Sequence, residues 1–157
     1  ASYNVVESNF AFLHNLVEKY VDIVFANETE ARAFTKKEPV AALEELSKYC
    51  EIAVVKVGPE GSMVQKGDER YIIKPWPADT IDATGAGDTF AGGFIGYLAK
   101  VKTINFSNMK NAIIYGSALA SFCVEKFGTI RLESLNKEDI SSRIQEFVAL
   151  AKFDISE

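Results

Sequence analysis

Two short apolar runs, VDIVF at residues 21–25 and IAVVKV at residues 52–57, constrain this chain more than any other feature. Both are continuous rather than alternating, which is the pattern of a strand buried on both faces. Helical spacing precedes each of them. Phe12, Leu13, Leu16, Val17 and Tyr20 recur at three and four ahead of the first run. A short helix from Glu28 to about Phe34 and another in VAALEELSKYC, after Pro39, lie between the two. Buried strands joined through helices form a parallel sheet with helices on both faces. GPEG and KGD then punctuate SMVQK and ERYIIKP, which predict an antiparallel hairpin on one edge. Beyond Ala86 three helices are expected, in TFAGGFIGYLAK, SNMKNAIIYGSALASFCVEKF and NKEDISSRIQEFVALA. The expected fold class is α/β: a Rossmann-like parallel sheet flanked by helices, with an edge hairpin and no linker dividing it.

Composition narrows what such a fold could serve. With 157 residues, 48% of them hydrophobic, the chain is about one domain long and can bury a core. A net charge of -5, with Lys and Arg scattered along the chain, argues against a nucleic-acid partner. Cys50 and Cys123 lie far apart in expected helices and read as small buried side chains rather than a disulfide or metal site. The single histidine, His14, falls on the polar side of the first helix, where a solvated role is expected, and one histidine without paired cysteines leaves zinc no ligand set. No apolar run reaches the roughly 18 residues of a membrane span. The opening ASYNVVESNF does not read as a signal peptide, so a cytoplasmic location and no membrane partner are expected.

The stretch DTIDATGAGDTFAGGF, residues 79–94, puts four glycines and three aspartates where an amphipathic helix begins, its apolar face marked by Phe90, Phe94, Tyr97 and Leu98. The first N–H groups of a helix lack intrahelical partners, and the macrodipole adds about half a positive charge there, so this is a ready anion site. Gly85 and Gly87 would let a phosphate approach that backbone closely. Read as structure alone, Asp or Thr near a helix start is a cap, and Gly92, Gly93 and Gly96 let two helices or a helix and a strand touch. Asp88 is harder to explain as structure alone. A carboxylate at a turn that holds an anion repels it, which makes chemical sense if Asp88 instead faces an acceptor hydroxyl and removes its proton in phosphoryl transfer. Asp82 would stabilise the same loop or neighbour a cation. Trp76, between two prolines in PWPAD, reads as a rigid plug for the loop that leads there.

DATGAGDTFAGGF is similar to the carboxyl-terminal signature of the PfkB family of carbohydrate and nucleoside kinases, the ribokinase-like enzymes, whose usual opening is Asp-Thr-x-Gly-Ala-Gly-Asp. Ala83 departs from that pattern at its second position and removes one side-chain contact near the phosphate or cation site; Gly85, Ala86, Gly87 and Asp88 match. VDIVFANETEARAF resembles the family's strand followed by Asn-x-x-Glu, which implies that Asn27 and Glu30 help to organise magnesium and phosphate, largely through water. Read on their own, the same two residues form a capping box. In VVKVGPEGSMV the resemblance makes Lys56, Gly58 and Gly61 neighbours of the nucleotide, whereas the residues alone read as a turn. SALASFCVEKFGT resembles the helix and loop that close over adenine and lend carbonyls to a monovalent cation, roles that would fall to Ser117 and to residues 124–128, with Gly128 at the end. These matches run in family order from about residue 5 to residue 147 and look most like the adenosine-kinase-like branch.

The resemblance therefore implies ATP, Mg²⁺ and a monovalent cation such as K⁺ as cofactors, and a small-molecule sugar or nucleoside as acceptor. It also implies that the chain is a carboxyl-terminal half. The amino-terminal acceptor half, with the lid through which a homodimer would form, is then not in this sequence, and the isolated chain would be inactive. Two alternatives stay open. Gly85-x-Gly87 followed by Ala91 loosely mimics the glycine turn of a dinucleotide-dependent oxidoreductase, which needs a strand immediately before it and an acidic residue about 20 positions on. The chain could also bind nucleotide without catalysis. A P-loop NTPase is excluded, since GxxxxGK[ST] is absent from the sequence.

Overall fold

A computed structural model describes residues 3–74 and 76–153, with side chains through residue 150. The chain packs as two compact units, Ala1–Ile72 and Ile73–Glu157. In the first, α1 (Tyr3–Ser8) and α2 (Phe10–Tyr20) lead into β1 (Ile23–Asn27), followed by α3 (Glu28–Thr35) and α4 (Pro39–Leu46). Next come β2 (Ile52–Lys56), a single 3-10 turn (Gly58–Glu60), β3 (Ser62–Lys66) and β4 (Glu69–Ile73). The strands lie in the order β1-β2-β3-β4, with β1 parallel to β2 and β2 antiparallel to β3. This is the expected arrangement: two parallel strands joined through helices, with a hairpin extending one edge.

Strand β2 explains why the apolar run is continuous. Ile52, Ala53, Val54 and Val55 are all fully buried, so alternate residues on both faces are withdrawn from water. On one face Ala53, Val55 and Met63 pack with Ala26 of β1 against Ala31 of α3 and against Ala42, Leu43 and Leu46 of α4. Complete burial of a leucine such as Leu43 or Leu46 contributes about 1.5–3 kcal/mol. The helix after β1 is fixed locally. Asn27 Oδ1 accepts from the Glu30 amide at 2.8 Å, and Glu30 Oε2 accepts from the Asn27 amide at 2.9 Å, a complete capping box.

Several boundaries differ from expectation. β1 starts at Ile23 rather than residue 21, because its register with β2 runs from Ile23 opposite Ile52 to Asn27 opposite Lys56, while Val21 caps α2. The helix before it breaks at Asn9, whose side-chain amide donates to the Val5 carbonyl at 3.0 Å. His14 is only partly solvated: its side chain is 31% exposed, while its ring stacks on Phe34 at 5.7 Å and 5° and meets the edge of Tyr49 at 4.7 Å. α4 ends at Leu46, so Cys50 lies outside any helix. Its thiol donates to the carbonyls of Leu46 and Ile52 at 3.3 Å, and burial pushes its pKa up to about 11, which keeps it protonated and unreactive near neutrality.

The second unit is helical: α5 (Ala86–Val101), α6 (Phe106–Cys123), α7 (Ile130–Glu133) and α8 (Lys137–Phe153). α6 stops at Cys123 rather than Phe127, and the short α7 was not expected from periodicity. α5 and α6 meet at glycines. A Cβ on Gly93 would lie 2.9 Å from Leu119 Cδ1 and 3.0 Å from Gly116 Cα; one on Gly116 would lie 2.7 Å from the Phe90 carbonyl oxygen. Of the three glycines suspected of allowing contact, Gly93 therefore does so, whereas a Cβ on Gly92 or Gly96 would meet nothing within 4 Å. Gly116→Ala is expected to cost about 1–3 kcal/mol by forcing the helices apart. Gly96→Ala should instead stabilise by about 0.5–1 kcal/mol through helix propensity. Denaturant unfolding of the two variants checks the opposite signs.

Candidate functional site

The predicted residues fall into two groups, one in each unit. In the first unit, Asn27 and Lys56 are partners in the β1–β2 register and stand side by side at the carboxyl ends of the two parallel strands. Glu30 is one helical turn beyond Asn27, and Gly58 and Gly61 bound the turn that leaves Lys56. That turn is closed by the Val57 amide donating to the Gly61 carbonyl at 2.8 Å, with Gly58 at φ 46° and Gly61 at φ 103°. The carboxyl edge of a parallel sheet is where open α/β folds bind ligands. Asn27 and Glu30 spend hydrogen-bonding capacity on each other, so the capping-box reading holds in the structure.

In the second unit the loop of residues 76–85 leads into α5. Gly85 is the N-cap residue and takes the left-handed conformation, φ 79° and ψ -5°, that a side chain would strain. It offers no side chain to cap the helix. The first intrahelical bond runs from the Thr89 amide to the Gly85 carbonyl at 2.9 Å. Ala86 requires a correction: its amide donates to the Ala83 carbonyl at 3.2 Å in a turn, so it is not an open donor for an anion. The amides of Gly85, Gly87 and Asp88 have no partner among the described residues. The Asp88 side chain, in the first turn, is exposed, and no described residue hydrogen-bonds or pairs with its carboxylate. Phosphate fits such a helix start through its unpaired amides.

Asp82 behaves differently. Its Oδ1 accepts from the Thr84 amide at 3.0 Å, and hydrogen bonds from the Thr84 backbone, the Thr84 side chain and the Gly128 backbone hold its carboxyl below the usual value of 3.8. It is a fastener of the loop. The loop is also tied to the end of α6: the Val124 carbonyl accepts from the amides of Ile81 at 2.8 Å and Asp82 at 3.3 Å, and the Cys123 thiol donates to the Thr84 carbonyl at 3.7 Å. The carbonyl of Val124, within the segment expected to serve a monovalent cation, is thus already engaged. Ser117 lies farther back on α6, half-buried between buried Gly116 and Ala118, and its hydroxyl bonds to no described residue.

Sequence reasoning missed the scaffold behind this loop. Arg143 of α8 donates to Ser121 Oγ at 2.6 Å and Glu125 Oε1 at 2.8 Å, and Arg131 donates to Glu125 Oε2 at 3.1 Å. Trp76, expected to plug the loop, packs against Phe147 in a tilted pair, 5.4 Å between ring centres and 39° between planes, and lies under the Arg143 guanidinium at 5.0 Å. The proline-flanked tryptophan was the available signal; nothing in the sequence pattern singled out Arg143. Among the described residues no group of three or more His, Cys, Asp and Glu side chains could hold a metal ion unaided. A divalent ion at these residues would need oxygens supplied by a bound phosphate. The dinucleotide reading finds no support: β4 ends at Ile73, well before α5 begins at Ala86, so among the described residues no strand feeds the glycine turn.

The model of the pfkB family carbohydrate kinase matches residues 4–135. The chain belongs to the pfkB family. The structure superposes on a probable sugar kinase from Rhizobium etli with a TM-score of 0.75 at 25% identity, covering 92% of this chain and 42% of that one. It superposes on the adenosine kinase from Sinorhizobium meliloti with a TM-score of 0.74 at 26% identity, again covering 92% and 42%. In sequence it is 35% identical over 115 residues to a ribokinase of Haemophilus influenzae, covering 69% of this chain and 36% of that protein. The chain spans less than half the length of these relatives. The pfkB match includes both groups of predicted residues and ends before α8.

The pH dependence of the loop follows from Asp82. Its folded carboxyl lies below 3.8, so the stabilisation is fully present above that value and is lost as pH falls through the lower folded value. The Thr84 amide proton resonance should therefore titrate with a midpoint below 3.8 in nuclear magnetic resonance spectra, and Asp82→Asn should abolish that titration.

Proposed function

We propose that this chain is the phosphate-binding part of an ATP-dependent kinase that phosphorylates a hydroxyl group of a sugar or nucleoside. The observation that carries the reading is the start of α5, where Gly85 opens a helix with unpaired amides and Asp88 projects an unpaired, exposed carboxylate from the first turn. Family membership and the names of the relatives, sugar kinase, adenosine kinase and ribokinase, support the substrate class.

In this mechanism Asp88 would accept the proton of the acceptor hydroxyl as its oxygen attacks the γ-phosphorus of ATP; the bond from that phosphorus to the bridging oxygen breaks and ADP leaves, while the amides of Gly85, Gly87 and Asp88 would stabilise the charge that develops on the transferring group. Glu30, acting through water, and the phosphate oxygens of ATP would hold Mg²⁺, which neutralises negative charge on the phosphates. Asn27, Lys56, Gly58 and Gly61 would border the nucleotide at the sheet edge. Ser117 and Gly128 would border adenine, with a monovalent cation such as K⁺ near residues 125–128. A cytoplasmic enzyme that pairs as a homodimer through a lid outside this sequence completes the reading.

Because the chain spans less than half of its relatives, a second reading applies to the 157 residues alone: they bind nucleotide without turnover. In a full-length kinase carrying this sequence, Asp88→Asn should lower turnover by about 10² to 10⁴ while ATP binding persists. Steady-state kinetics and calorimetric titration with ATP check this. Turnover like that of the unaltered enzyme would refute the assignment of Asp88.

A further inference from the structure

Arg143 stands outside the span of the family match, on α8, yet it contacts Ser121, Phe122 and Glu125 at the end of α6 and Trp76 at the start of the loop of residues 76–85. Its side chain is only 14% exposed. The guanidinium lies 4.0 Å from the ring centre of Phe122 and 5.0 Å from that of Trp76, so it is sandwiched between the last turn of α6 and the start of the loop. Its nitrogens donate to Ser121 and Glu125, which flank residues 122–124 on either side, and Nε lies 3.5 Å from Glu146. Two of the residues between Ser121 and Glu125 fasten the loop: Val124 through its carbonyl to the amides of Ile81 and Asp82, and Cys123 through its thiol to the Thr84 carbonyl.

A planar cation with five donors suits this place. It bonds Ser121 and Glu125 while its guanidinium carbon sits over two aromatic rings, which a lysine ammonium does not reproduce. A half-buried charge of this kind is also unforgiving, since removing one member leaves Glu125 with less than its full complement of donors. Arg131 alone would remain on it.

We propose that Arg143 is a positioning residue, which by clamping Ser121, Glu125 and Trp76 fixes the end of α6 and so holds the loop that presents the amides of Gly87 and Asp88. The bracing is a property of this chain by itself; its consequence for turnover rests on the role given to Asp88 above.

The test is amide hydrogen exchange on the 157-residue chain, comparing Arg143→Ala, Arg143→Lys and, as a control on the same helix, Lys137→Ala. With Arg143→Ala the amides of Ile81 and Asp82 should exchange at least about tenfold faster, through local opening, while the Phe94 amide in the middle of α5 keeps its protection. Arg143→Lys should fall between, and Lys137→Ala should match the unaltered chain. If exchange at Ile81 and Asp82 is unchanged while the amides of α8 lose protection, Arg143 merely anchors its own helix and the proposal is overturned. Should Arg143→Ala fail to fold, Arg143→Lys and Glu125→Gln carry the same comparison.

In a full-length kinase the Arg143→Ala variant should lose about 10- to 100-fold in kcat, the scale expected when catalytic groups are displaced from a distance. A loosened loop with unchanged kcat would overturn the positioning role. If Asp88→Asn leaves turnover intact while Arg143→Ala still frees the loop, the base has been misassigned and the brace stands.

Discussion

The approach of α5 and α6 at Gly93 and Gly116 is the contact on which the geometry of the loop depends. The two helices run antiparallel, so the start of α5 and the end of α6 come to the same end of the pair; a Cβ on Gly85 would sit 3.9 Å from Cys123 Sγ. The end of one helix offers carbonyls and a partial negative charge, and the start of the other offers amides and a partial positive charge. The loop reconciles them. Its amides at Ile81 and Asp82 satisfy the Val124 carbonyl, and it turns through a left-handed Gly85 to leave the amides at the start of α5 facing outward. Larger residues at the crossing would separate the helix axes, and the bonds across the loop, each 2.8 to 3.7 Å long, have little slack to follow.

What the sequence revealed, it revealed where one local rule acts alone. The double-sided burial of β2 shows as an unbroken apolar run, the capping box at Asn27 and Glu30 as a spacing of three, and the opening of α5 as glycines beside an aspartate. Helix ends set by distant partners were less legible. α6 stops at Cys123 although the residues after it suit a helix, because Val124 and Glu125 are claimed by the loop and by two arginines. The partial burial of His14 is hidden for the same reason: its spacing puts it beside polar neighbours, but Phe34 and Tyr49, which cover part of its ring, come from other parts of the chain. Three glycines on one helix looked equivalent, and only the position of α6 distinguishes Gly93 from Gly92 and Gly96.

The candidate site divides in the same way. Asp88 and the glycines before it were recognisable because motif and chemistry coincide within seven residues, 82–88. The supporting groups come from the end of α6 and from α8, scattered over residues 121–143, and no spacing rule connects a serine, a glutamate and an arginine that meet only after folding. Ala86 shows a further limit. A helix start supplies a run of unpaired amides in general, but which of them stay open depends on the turn before it, and here the Ala83 carbonyl takes one.

Asp82 in the loop and Asp88 in the first turn of α5 are chemically equivalent and structurally opposite, and that contrast bears on the proposed mechanism. Asp82 has its lone pairs turned toward the amide and hydroxyl of Thr84 in its own loop and toward the backbone of Gly128 beyond α6, which lowers its proton affinity and leaves it little capacity to take a proton from a substrate. Asp88, six positions on, meets no such donors and stands in solvent. A general base needs an unengaged lone pair within reach of the hydroxyl it deprotonates, so of these two groups only Asp88 meets the requirement. One aspartate thus holds the shape of the loop, and the other keeps the unengaged carboxylate that the proposed mechanism requires. Reversing them would cost twice, because a base at residue 82 would have to break the bonds that keep the amides of residues 85–88 in place.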